Sequence, residues 1–207
     1  MPSLSRRDRK RLANRDAIRT AALTLFLDRG FDAVSVEEVA DAADVSASTV
    51  YRNFATKEDL VLRHLTDRMV EFLDVLDEQD HDTPLGVVLV AAVNDWAPDS
   101  SAQRLLRNET SLIVATPALL ARLHGSIVEW EVPICERLAA RVGRAPTDLA
   151  LRQLTALFCA TVRIVIREWA NADGQVDIAG FGRPAMEALL ELPAARLGQI
   201  DIRQETA

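Results

Sequence analysis

Apolar residues recur at intervals of three and four along most of the chain, the spacing that lines one face of an α-helix. Ile18, Ala21, Ala22, Leu25 and Phe26 mark a helix over about 9–29, with Gly30 as the residue that ends it. After the short connection Phe31–Val34, Ser35-Val36-Glu37-Glu38 forms a capping box. It opens a helix of about 36–43 whose inner face is Val36, Val39, Ala40 and Ala43. Asp44-Val45 breaks that helix, and Asp tolerates the left-handed conformation such a break requires. Ser46 caps a short helix of about 47–53, and Thr56 caps a longer one of 57–78 with Leu62, Leu65, Met69, Phe72 and Leu76 as its stripe.

The pattern continues to the C-terminus. Pro84 at a first helical position starts a helix to about 96, and another covers about 101–113. Thr116-Pro117 starts a helix that is expected to break or kink near Pro133 and to end near Gly143. Ala145-Pro146-Thr147 starts a long apolar helix to about Ala172, and a last helix runs over about 179–196. No strand pattern, internal repeat or low-complexity tract interrupts the series. The fold class is all-α, with about nine helices.

Composition agrees. Of 207 residues, 49% are hydrophobic and 27% charged, an ordinary globular mix, and alanine, the best helix former, is abundant. The net charge of −7 argues against a nucleic-acid partner when read whole. Its distribution reverses that reading. Residues 1–63 carry 11 Lys/Arg and 10 Asp/Glu, whereas residues 64–207 carry 13 and 21. Seven of the first 20 residues are basic, against two acidic. A basic arm on an acidic body is the footprint of a chain that meets phosphates at one end.

Cys135 and Cys159 have no metal-ligand spacing and no neighbouring His, so no metal site or disulfide framework is expected. No signal-peptide pattern opens the chain, and its longest uncharged apolar run, Gln153–Val162, is too short to span a bilayer. A cytoplasmic protein with no cofactor and no membrane partner is the expectation.

The chemistry concentrates in residues 35–57. Two short helices joined by a tight turn, after a longer helix, make a helix-turn-helix whose second helix, 47–53, would read base edges in a major groove. Ala47 and Ser48 are small enough to let that helix approach the bases. Tyr51, Arg52 and Asn53 can reach bases or phosphates, and Thr49 and Lys57 are placed for phosphate. The cap at Ser35 sets a helix N-terminus that offers backbone N–H groups to anions. Arg6, Arg7 and Arg9 would reach phosphates or a minor groove, as basic arms do.

The run Ile18-Arg-Thr-Ala-Ala-Leu-Thr-Leu-Phe26, Gly30-Phe31, Val34-Ser-Val-Glu-Glu-Val-Ala40, Ala43-Asp-Val-Ser46, Thr49-Val-Tyr51, Phe54, Lys57-Glu58 and Leu60 resembles the DNA-binding domain of the tetracycline-repressor (TetR) family. The resemblance covers residues 12–62 and departs at Asp44, where the family's turn usually carries Gly. It implies a DNA-binding head (1–56) and a helical ligand-binding and dimerisation body (57–207), with 57–78 as the linker helix. It assigns Ser46, Ala47, Ser48, Thr49, Tyr51, Arg52, Asn53 and Lys57 to the DNA face, and Val36, Val39, Val45, Val50 and Phe54 to the head's core. It further implies a homodimer on a palindromic operator, released when a small effector tilts the linker helix.

The helix 149–172 supports a dimer by itself, being apolar nearly all round: one side packs on its own body and the other needs a partner. The expected interface is 147–172 with 179–196. Within the body, candidate pocket residues are Met69, Phe72, Asn94, Trp96, Thr110, Trp130, Phe158 and Arg163, in walls that suit a hydrophobic or amphipathic effector. Arg163, a lone charge between Val162 and Ile164, faces either an anionic ligand group or a salt bridge to Glu131 or Glu168. An activator or a regulator controlled by a protein partner would carry the same head. An all-α enzyme would need Glu-x-x-His or His-Glu-x-x-His patterns, and neither occurs.

Overall fold

A computed structural model describes residues 6–80, 82–96, 100–172 and 177–191, with the side chains of 6–11, 64, 66, 68 and 92–105 excepted. Among the described residues the chain forms nine α-helices and no strand: α1 (Arg6–Arg29), α2 (Val36–Ala42), α3 (Ala47–Asn53), α4 (Asp59–Glu78), α5 (Leu85–Trp96), α6 (Ser100–Ala115), α7 (Pro117–Arg141), α8 (Leu149–Asn171) and α9 (Ile178–Glu187). The chain tightens into a 3₁₀ turn at Ala188–Glu191. It divides into two compact units, residues 1–65 with 108–120, and residues 66–107 with 121–207.

In the first unit, α1 packs on α2 and α2 on α3. Ile18, Ala22 and Phe26 of α1 meet Val39, Val50, Phe54 and Leu60 in a closed apolar core. The Phe26 and Phe31 rings lie 5.0 Å apart at a tilt of 57°, and burying each such side chain contributes about 1.5–3 kcal/mol. Val45, expected in this core, is only half-buried.

The turn between α2 and α3 shows how Asp44 replaces a glycine. Its φ is 52°, the left-handed region. The Asp44 N–H donates to the Asp41 carbonyl at 3.2 Å and the Val45 N–H to the Ala40 carbonyl at 3.0 Å, which closes the end of α2 as a Schellman motif. Gly143 does the same for α7: with φ at 63°, it lets the Arg144 N–H reach the Ala139 carbonyl at 3.0 Å.

Four sequence expectations change. Lys57 and Glu58 form a turn ahead of α4, although Thr56 still caps it: Thr56 Oγ1 accepts from the Asp59 N–H at 3.2 Å and Asp59 Oδ2 from the Thr56 N–H at 3.0 Å. α7 is not broken at Pro133; Ile127, Ile134 and Leu138 are all buried and hold the segments before and after the proline to one core. α8 begins after Asp148, not at Pro146, because the Asp148 carboxylate accepts from the Ala150 and Leu151 N–H groups and makes a better cap than Ala145. The last helix ends at Glu187 and tightens, and residues 192–196 of the expected helix lie outside the described residues.

In the second unit, α8 packs on α9, and α5 packs on α9. Leu151, Leu154, Phe158, Val165 and Trp169 make the inner face of α8. The Arg107 guanidinium sits 4.3 Å over the Trp169 ring and donates to the Trp169 and Ala172 carbonyls, closing the C-terminal end of α8. α8 has the length and composition of a membrane span. Its buried stripe and the charges of Arg152, Arg163, Arg167 and Glu168 instead fit a core helix with one face outward.

Candidate nucleic-acid interface and body cavity

α3 presents polar side chains on a rigid base. Val50 anchors it to the core, as does Phe54 just beyond its end, while Tyr51 is 52% exposed and Ser46, Ser48 and Arg52 are exposed. Ala47, Thr49 and Asn53 are half-buried. Short bonds organise the helix start: Ser46 Oγ lies 2.9 Å from both Ser48 Oγ and Thr49 Oγ1, and accepts from the Thr49 N–H at 3.2 Å. Arg52 Nη2 leans back to Thr49 Oγ1 at 3.4 Å. The Asn53 amide donates to the Thr49 carbonyl at 2.8 Å, so one of its two N–H groups serves the helix. No acidic residue stands on α3.

Ser35 and Lys57 serve the scaffold that carries this surface. Ser35 Oγ accepts from the Glu38 N–H, and Glu38 Oε2 accepts from the Ser35 N–H, the reciprocal bonds of a capping box. The Ser35 N–H first, and then the Arg29 guanidinium at 2.8 Å, hold the Glu38 carboxyl below its usual range. Lys57 Nζ stands 4.4 Å over the Phe31 ring and 5.7 Å from that of Phe26, which fixes its ammonium beside the turn after α3. Arg6, Arg7 and Arg9 fall in α1, and their side chains lie outside the described residues.

One contact had no place in the sequence reading. Glu109 in the middle of α6 is 2% exposed and forms an ion pair with Arg19 of α1. Its signal was present: Glu109 falls three residues after Leu106 and four before Ile113, on the buried stripe of α6.

Of the pocket candidates, the structure brings together Met69, Phe72, Trp130 and Phe158. With Ile127, Ile134, Cys159 and Val162 they line a cavity of about 30 Å³ between α4, α7 and α8. The Phe72 and Phe158 rings stack at 5.7 Å. No polar side chain other than the Cys159 thiol lines it, and burial, then the Glu131 charge, pushes that thiol up to about 12, so it is an inert wall group. Thr110 is not part of this cavity: it is buried in the other unit, next to Glu109. Arg163 does not line it either; it is half-buried beside Val162 and pairs with neither Glu131 nor Glu168, the latter bonding Arg167 at 3.1 Å. The Asn94 and Trp96 side chains lie outside the described residues.

Two arginines fasten the end of α4 in the body. Arg141 of α7 donates to the Gln79 carbonyl at 3.0 Å and to the Leu76 carbonyl at 3.4 Å, and Arg137 pairs with Asp77. Both place cations at a helix C-terminus, where the backbone carbonyls favour them. A wider groove of about 550 Å³ runs between α7 and the start of α8, with Glu131, Glu136 and Arg152 on its walls. Among the described residues no cluster of His, Cys, Asp or Glu could hold a metal ion.

Comparison with known proteins adds the family. Residues 18–63 match the profile "Bacterial regulatory proteins, tetR family", and residues 84–192 match "MftR C-terminal domain". The HTH-type transcriptional regulator TcmR of Streptomyces glaucescens is 31% identical over 79% of this chain and 76% of its own. The putative mycofactocin biosynthesis transcriptional regulator MftR of Mycobacterium tuberculosis is 30% identical over 72% of this chain and 75% of its own. Among solved structures, Thermus thermophilus FadR, a TetR-family repressor in complex with lauroyl-CoA, shares the fold at a TM-score of 0.54 and 20% identity, over 93% of this chain and 98% of that one.

Proposed function

Because the chain belongs to the TetR family of bacterial regulatory proteins and is a helix-turn-helix transcriptional regulator, we propose that it is a homodimeric cytoplasmic repressor released from a palindromic operator by a small effector. The observation that carries this is α3: a short helix anchored by Val50, with Tyr51, Arg52, Ser46 and Ser48 outward and no acid among them. Such a surface suits a polyanion. Residues 1–56 act as the head, with Ser46, Ala47, Ser48, Thr49, Tyr51, Arg52 and Asn53 at the duplex. The start of α2 capped by Ser35 offers backbone N–H groups to phosphate and Lys57 its ammonium, and Arg6, Arg7 and Arg9 act as a basic arm.

Residues 57–207 act as the body. α4 begins in one unit and ends in the other, so a ligand that parts Met69 and Phe72 from α7 and α8 displaces the helix that leads out of the head. Its far end is held by Arg137 and Arg141. The dimer forms through 147–172 and 179–196. The support is α8, which leaves Leu157 46% and Ile164 52% exposed on the face opposite its buried stripe. Two heads related by a two-fold axis read two half-sites, which gives a seven-residue recognition helix its specificity.

Genome-wide mapping of bound DNA tests the reading and supplies the operator. On that operator, Tyr51→Ala and Arg52→Ala should each weaken binding about tenfold, the size of one lost base or phosphate contact. Sedimentation should show the dimer unchanged. Variants that hold the operator as tightly as wild type would place the DNA surface elsewhere.

A further inference from the structure

The apolar cavity of the body has a cation beside it that no described residue pairs with. Arg163 follows the cavity-lining Val162 on α8 and is half-buried, yet its guanidinium makes no hydrogen bond or ion pair with any described residue. Arg167 lies one turn further along α8 and bonds Glu168. His124 lies one turn before the cavity-lining Ile127 on α7 and is also half-buried.

These groups feel one another. Burial holds His124 below its ordinary pKa, and the charges of Arg163 and then Arg167 push it further in the same direction. Arg163 also acts on the Cys159 thiol in the cavity wall, as does Glu131, the acidic neighbour in this environment. Glu131 forms no ion pair with Arg163, although both charges reach the thiol. A half-buried guanidinium with no described protein partner keeps its fork of donors open to solvent, where an anionic ligand group can engage two of them bidentately.

The cavity says what else that ligand carries. At about 30 Å³ it holds one water at most, against about 300–1,000 Å³ for a ligand-filled pocket. A ligand must therefore part its walls, and Met69, unbranched and half-buried, is the wall residue that gives most easily. Only apolar matter gains by entering between Phe72, Trp130 and Phe158.

We propose that the body binds an anionic amphipath, its apolar chain in the Met69–Phe72–Trp130–Phe158 cavity and its acidic head on Arg163, with Arg167 flanking. This rests on the reading of the chain as an effector-released repressor. It adds what that reading leaves open: the charge of the effector and the residue that selects it.

The test uses the full-length dimer and four twelve-carbon probes: dodecanoate, dodecyl phosphate, dodecanol and dodecyltrimethylammonium. Binding is followed by calorimetry, and release of the mapped operator by fluorescence anisotropy. One or both anions should bind at least about tenfold tighter than dodecanol, the scale of a charge-assisted hydrogen bond, and should release the operator. The cation should bind weakest. Which anion wins separates a carboxylate from a phosphate head. Arg163→Gln should bring the anions down to the level of dodecanol and leave dodecanol itself unchanged, and Arg163→Lys should recover part of the difference. Dodecanol binding as tightly as the anions, or Arg163→Gln binding them like wild type, would overturn the proposal. So would an absence of binding by all four probes from a protein that still holds its operator. A protein that holds no operator at all would overturn the parent reading instead.

Discussion

α3 and α8 are both helices with an outward face, and they solve opposite problems. α3 is seven residues long, too short to be stable by itself, and its position comes from Val50 below and from caps at its ends. Its outer face is polar and tied down by local bonds among Ser46, Thr49, Arg52 and Asn53. α8 is 23 residues long and held by a continuous buried stripe, and its outer face carries Leu149, Leu157 and Ile164. A surface built for a duplex keeps its donors pre-aimed by neighbours in sequence. A surface built for another apolar face needs only shape and area. The head is therefore organised by short-range polar contacts over a small core, and the body by long-range packing around Trp169 and Phe158.

The contrast can be strained at its largest point first. Trp169→Ala removes a side chain that is 1% exposed, together with the platform under Arg107. It should cost about 3–5 kcal/mol of stability, read from denaturant unfolding. A loss under about 1 kcal/mol would mean that long-range packing does not carry the body in the way described. Next is the exception within the first unit, where a buried ion pair joins residues remote in sequence. Arg19→Met takes the Arg19 guanidinium away from the buried Glu109 carboxylate and should cost about 1–3 kcal/mol, whereas the double change Arg19→Met with Glu109→Leu should regain most of it. A single variant that melts like wild type would show that the pair does not hold α6 to α1.

The smallest effect concerns the cap under the recognition helix. The Ser35 N–H first, and Arg29 second, lower the Glu38 pKa in the folded state. A lowered carboxylate contributes stability above its unfolded pKa and loses it as pH falls through the folded one. Glu38→Gln keeps the capping acceptor and loses the charge. Its melting temperature should fall slightly at neutral pH, and the gap to wild type should close in acid. A gap that stays constant down to low pH would remove the charge from the account.

The sequence pattern determined the elements of the head, because capping and left-handed turn chemistry are properties of residues within a few positions of each other. The boundaries of α3 and the capping box at Ser35 and Glu38 were readable for that reason. So was the use of Asp44 in place of glycine. It also determined the apolar composition of α8 and four of the cavity residues, since a stripe of large side chains must meet something. It did not decide between a break and a continuous α7 at Pro133, and it did not reveal that Asp148 sets the start of α8 or that Thr110 belongs to the other unit. Those depend on which faces meet across tens of residues. The tertiary structure alone decided that Glu109 answers Arg19, that Arg141 closes the end of α4, and that Arg163, beside an apolar cavity, has no ion-pair or hydrogen-bond partner among the described residues. A side chain's charge is written in the chain, but whether that charge is neutralised is a matter of distance, and distance between remote residues exists only after folding.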